Sequence, residues 1–171
     1  MTDLDKEFAA LLGGNVGNSG GSRNIFKPKD HIGSYVMLIE PKKYNPEARN
    51  PFAITDPTHK DYDERRLTRR ELTARITVFQ SPEALDAGQG LELTDALITQ
   101  PFLAEDLGQS VGKVEIAKLA TRSNGPGKQP SYVWRAAEGD VIGKVAAYYK
   151  AREKALDEAL ASDDVPDYLK A

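Results

Sequence analysis

Between residues 71 and 80 the sequence ELTARITVFQ sets Leu72, Ala74, Ile76 and Val78 against Thr73, Arg75, Thr77 and Phe79. A period of two puts each set on its own side of a pleated strand, so the segment predicts a strand with a core face and a semi-polar face. A strand needs neighbours, and the chain supplies them in a definite order. Tyr35-Val36-Met37-Leu38-Ile39 is an apolar run ended by Pro41, LELTDALITQ reads as a strand over 91–100, and 113–123 with 131–138 reads as a hairpin around NGPGKQP. Pro101 opens a short helical segment closed by Gly108. From Asp140, a plausible N-cap, helix formers continue to about Ala161.

The expected class is mainly β with helices: a five-stranded OB-type Greek-key barrel, with one helix between its third and fourth strands, plus a C-terminal helix. An SH3-like barrel or another small antiparallel sheet satisfies the same pattern. Residues 41–70 carry Pro41, Pro46, Pro51 and Pro57, too closely spaced for a regular helix. They predict an irregular first connection of about 30 residues, a length associated with functional loops. Residues 1–24 read as a short amphipathic helix (Leu4, Phe8, Leu11, Leu12) running into the glycine-rich linker GGNVGNSGGSRN. The expected division is then 1–24, a barrel over 25–138, a helix over 139–161 and an acidic tail over 162–171.

At 171 residues, 40% of them hydrophobic, the chain suits one cored domain with tails. It has no cysteine, which removes disulfides, thiolate nucleophiles and cysteine-bound metals. The opening MTDLDKEFAALLGG lacks a basic region followed by an apolar core, and no run of about 18 apolar residues occurs. The expectation is a cytoplasmic protein without a membrane partner. The net charge of −3 disfavours nucleic acid until it is located. Residues 1–33 and 34–150 each balance, and 151–171 hold six acids against three bases. The acidity therefore belongs to the tail and the body is neutral with basic clusters.

The most basic cluster falls in the first connection: Arg65, Arg66, Arg69 and Arg70, next to Arg75. Guanidinium forks match phosphate oxygens, and Asp61, Asp63, Glu64 and Glu71 supply the alternative of a neutralised, solvated loop. Single strands also require stacking surfaces. Tyr132 and Trp134 share a strand face, Phe79 shares one with Arg75, and Tyr44, Phe52 and Tyr62 stud the connection. Trp134 has a second reading as core. Lys128, in the 124–130 turn, is available to a backbone phosphate, although the turn departs from a phosphate loop at Arg122 and Gln129. His59, Asp61 and Asp63 fall short of a metal set. No catalytic constellation stands out, and no cofactor is expected.

The tail Asp163, Asp164, Val165, Pro166, Asp167, Tyr168, Leu169 joins acids to a proline, an aromatic and an aliphatic residue. It resembles the acidic tip of bacterial single-stranded DNA-binding proteins, with Asp163, Asp164, Pro166, Tyr168 and Leu169 as the partner-binding residues. Residues 26–150, with FKPKDHIG, the apolar strand, the five-strand order and the final helix, resemble the small single-stranded DNA-binding proteins of actinobacterial bacteriophages. That resemblance implies sequence-tolerant binding of single-stranded DNA in replication or recombination in an infected bacterial cytoplasm. Replication or recombination proteins would meet the tail, and the chain would be a homo-oligomer. The rival reading is a protein-interaction or virion-assembly module that associates through its two terminal helices.

Overall fold

The computed structural model describes residues 24–161. The strands are β1 (Asn24–Ile25), β2 (Val36–Arg49), β3 (Thr68–Phe79), β4 (Leu91–Ile98), β5 (Glu115–Arg122) and β6 (Ser131–Ala136). The helices are α1 (Pro82–Asp86), α2 (Pro101–Gly108) and α3 (Gly139–Ala161), with 3-10 turns at Pro28–Asp30 and Glu64–Arg66. One six-stranded sheet results, in the order β1-β4-β3-β2-β5-β6. β2, β3 and β4 form a meander, and the chain then crosses through α2 to lay β5 antiparallel beside β2. This is a Greek key.

The expected five-stranded barrel is thus corrected to an open sheet of six strands. β1 is the added strand, pairing parallel with β4 through Asn24 and Ile25; two residues carry no periodicity from which to read it. The outer strands β1 and β6 share no ladder. They approach through side chains, with the rings of Phe26 and Trp134 6.3 Å apart.

The second correction concerns 41–70. β2 continues through Pro41 and Pro46 to Arg49, and β3 begins at Thr68, leaving 50–67 as the connection. Proline is admitted because β5 pairs with β2 only at Met37, Leu38 and Ile39, so the rest of that edge makes no second ladder. The β2–β3 register also slips between Pro41 and Lys43 and between Asn45 and Ala48, which marks bulges beside both prolines.

Both sheet faces are covered, and this explains why Val36 to Ile39 is apolar without alternation. Met37 and Ile39 join Leu72, Ala74, Ile76 and Ile98 on the inner face, closed by Leu103, Ala104 and Leu107 of α2. Val36 and Leu38 join Phe79 on the outer face, under Leu85 of α1 and Val141 and Val145 of α3. Each such aliphatic burial contributes about 1.5–3 kcal/mol. Ser81 caps α1 by accepting from Ala84 N–H at 3.1 Å. On α3, Val141, Val145 and Tyr148 face the sheet, and Leu156 and Leu160 continue the stripe, each 52% exposed.

Gly108 ends α2 where a Cβ would meet the Tyr44 ring at 2.6 Å. Tyr44 packs on the inner core, so the ring has little room to yield. Gly108→Ala should lower stability by about 1–3 kcal/mol despite alanine's higher helix propensity. A urea midpoint at or above that of the parent would show that the ring moves freely.

Candidate nucleic-acid interface

The 50–67 connection is organised by short polar side chains. Asn50 closes its base: its N–H donates to Leu67 O (2.9 Å), its side-chain amide donates to Arg66 O (2.9 Å), and its side-chain oxygen accepts from Phe52 N–H (3.1 Å). Asp56 accepts from the N–H and hydroxyl of Thr58. Asp63 accepts from Arg65 N–H at 3.0 Å and holds the Arg65 side chain at 3.2 Å. These local bonds compensate for the lack of a ladder. The Arg65 side-chain hydrogen bond, followed by its backbone N–H, holds the Asp63 carboxyl below the usual carboxylate range.

The four arginines do not form one patch. Arg65 and Arg66 share Asp63, at 3.2 and 3.7 Å, with side chains 91% and 79% exposed. Arg69 and Arg70 are neighbours on β3 and so project to opposite faces. Arg69 pairs with Glu71 at 2.9 Å, its guanidinium 5.8 Å from the centre of the Phe52 ring. Arg70 turns to Glu105 of α2 at 3.5 Å. Phe52 is 77% exposed. Beside this pair, on the outer face of the β2–β3 arm, lies an open hollow of about 360 Å3 lined by Lys43, Asn45, Ala48, Arg49, Glu71 and Thr73. Lys43 and Arg49 are exposed and have no ion pair among the described residues. Residues 42–71 hold eight bases against six acids, so the arm is net cationic.

Several sequence-chosen residues sit elsewhere. Arg75 lies under α3, 3.0 Å from Glu92 and 3.9 Å from Glu40. Arg152 of α3 reaches the same carboxylates at 2.8 Å (Glu40) and 3.9 Å (Glu92). Burial alone would lower the Arg152 pKa, but the hydrogen bond and charge of Glu40 leave it raised. Phe79, expected on a stacking face, is fully buried, and its ring meets Tyr148 edge-on at 5.0 Å. Its face is core because α3 covers it. Burial, then the Glu92 charge, pushes the Tyr148 phenol up.

Trp134 takes its core reading. It packs on the inner cluster and donates from Nε1 to Leu103 O at 3.1 Å. Tyr132 is half-buried at the β1–β6 seam. Lys128 is exposed in its turn, but the β2–β5 register (Met37 to Ala117, Ile39 to Glu115) sends the 123–130 turn to the opposite end of β2 from the 50–67 connection. Lys128 and the arginines therefore do not converge. Tyr62 is half-buried, its N–H on His59 O. The tail residues Asp163, Asp164, Pro166, Tyr168 and Leu169, and residues 1–23, lie outside the described residues.

Lys43 and Arg49 are the additions that tertiary structure makes to the site, and Phe52, one of the connection's aromatics, is the ring it leaves exposed. Reading 41–49 as a strand would have put Lys43 and Asn45 on one face; the prolines concealed it. Among the described residues no three His, Cys, Asp or Glu side chains gather as a metal site, and no helix is long and apolar enough to cross a membrane. His59 Nδ1 instead accepts from Asp61 N–H at 3.0 Å. Comparison with family models, curated proteins and solved structures finds no match to this chain.

Proposed function

We propose that the chain is a non-enzymatic, sequence-tolerant single-stranded DNA-binding protein of the OB type, acting in replication or recombination, with the β2–β3 arm as its contact surface. The observation that carries this reading is the exposed Phe52 ring beside Arg69, next to the exposed Lys43 and Arg49, which have no ion pair among the described residues. An exposed ring stacks on any base for about 1–3 kcal/mol, and adjacent cations engage phosphates without reading sequence. The Greek key, the helix between β4 and β5, and a long connection between the first two long strands support the OB assignment.

The rival, a self-associating interaction module, draws on Leu156 and Leu160, left half-exposed at the end of α3. A titration of oligo-dT against duplex of equal length decides between them. Preferential binding of oligo-dT is expected, weakening with salt. Phe52→Ala should cost about 1–3 kcal/mol of affinity, and Arg65→Ala with Arg66→Ala should flatten the log–log salt slope by about 0.7 per lost contact. No preference for the single strand at low salt would favour the rival. Unchanged affinity in Phe52→Ala would remove the arm from the site.

A further inference from the structure

Where β1 faces β6, side chains enclose a second hollow, of about 200 Å3, lined by Ile25, Phe26, Thr99, Gln100 and Tyr132, with Lys27 and Lys29 also at its wall. Its apolar part is fixed: Phe26 is buried, its N–H donates to Leu97 O at 2.8 Å, and its ring stacks on His31 at 5.1 Å. Its polar part is unused. Gln100 precedes α2 without capping it through its side chain, and neither that amide nor the Thr99 hydroxyl has a hydrogen-bond partner among the described residues. Lys27 and Lys29 stand exposed on either side of the buried Pro28.

A second cation and a ring continue this surface past Gln100 and Tyr132. Phe102, two residues beyond Gln100, is 42% exposed, and the Arg122 guanidinium lies 4.9 Å from its ring centre. Arg122 pairs in the ladder with Ser131, the neighbour of Tyr132. Phe102 and Phe52 are the exposed aromatic side chains among the described residues, and each carries an arginine. The charge around them is one-sided. Residues 116–137 hold four bases, Lys118, Arg122, Lys128 and Arg135, and no acid, and Asp30 is the one acid in 24–35. Lys118 and Arg135 are directly opposed in the β5–β6 ladder, an arrangement that costs stability. None of Lys27, Lys29 and Arg122 has an ion pair among the described residues.

We propose that the β1–β6 seam is a second single-strand contact, separate from the arm, in which one nucleobase enters the hollow, a neighbouring base stacks on Phe102, and the phosphates beside them meet Lys27, Lys29 and Arg122. The inference extends the single-stranded DNA reading above and rests on it. The hollow is below the roughly 300–1,000 Å3 of sites for whole small molecules, so it takes a ring system and leaves the charged part of a nucleotide outside, where the cations are. Apolar walls suit the faces of a base. The Gln100 amide both donates and accepts, so it can meet the edge of any base without selecting one. Ring and arginine together are what sequence-tolerant single-strand sites use.

Oligo-dT substituted with 5-iododeoxyuridine couples to aromatic side chains on irradiation, and trypsin separates the readouts in the full-length protein: 50–60 carries Phe52, 76–113 carries Phe102 and 129–135 carries Tyr132. At low salt, about 20 mM, where exposed charges are weakly screened, crosslinks to Phe102 and Tyr132 are expected beside those to Phe52. Lys27→Gln, Lys29→Gln and Arg122→Gln together, a change confined to exposed side chains, should abolish the seam crosslinks and leave those at Phe52. The same variant should flatten the log–log salt slope for long oligo-dT by about 2, at roughly 0.7 per lost contact. Crosslinks confined to Phe52 overturn the second contact and leave the arm standing, and seam crosslinks that survive the three glutamines also overturn it. Seam crosslinks without any at Phe52 support it and remove the arm. Failure of oligo-dT to bind or crosslink anywhere sinks the single-strand reading itself, and this inference with it.

Discussion

Phe79→Ala should lower the unfolding free energy by about 3–5 kcal/mol, the range for deleting a buried aromatic side chain. Phe79 is fully buried between the sheet and α3, in a cluster with Val36, Leu38, Leu85, Val141 and Val145. Alanine would remove the ring and its edge-on contact with Tyr148, and would leave a cavity where two covering helices meet. Urea titration followed by far-ultraviolet circular dichroism reads the loss directly. The same variant distinguishes burial from stacking. A residue on a DNA face would keep its urea midpoint and lose oligo-dT affinity, whereas Phe79→Ala should lose its midpoint and, where still folded, keep that affinity.

Arg152→Ala should lower stability by about 1–3 kcal/mol, less than the ~3–5 kcal/mol for breaking a fully buried pair because this cluster is only partly shielded from water. The Arg152 and Glu40 side chains are 17% and 20% exposed, and Glu92 is 32% exposed. Without the guanidinium, two carboxylates share Arg75 alone beneath the helix. Glu40 Oε2 is already buried without a hydrogen bond among the described residues, and the hydroxyls of Thr77 and Tyr148 donate to Glu92, not to Glu40. Combining Arg152→Ala with Glu40→Gln should recover part of the loss, because the second change removes the charge that the first strands. Additive losses in the double variant would mean that Arg152 acts through its aliphatic stem packed on the sheet and not through Glu40.

The long strands were legible because their signal is local. The alternation from Leu72 to Phe79, and the runs near 35–39, 91–98, 115–122 and 131–136, each carry their period within a few residues. The helix from Gly139 was legible for the same reason, and so was the proline that begins α2. The arm was hidden because proline is penalised in a strand only where its missing N–H faces a partner, and the absence of a β5 partner beyond Ile39 is a fact of topology.

The candidate site divides along the same line. The sequence by itself determined which residues share a face: Arg75, Thr77 and Phe79 on one side of β3, Tyr132 and Trp134 on one side of β6. Only the tertiary structure decided which faces are covered. α3 returns to place Arg152 on Glu40, 112 residues away, and this turns the Phe79 face into core; α2 does the same for Trp134 through Leu103. Facing is set by the two-residue pleat, whereas exposure depends on which distant helix finds that face, so Lys43, Arg49 and Phe52 stay open on the arm while Phe79 is buried.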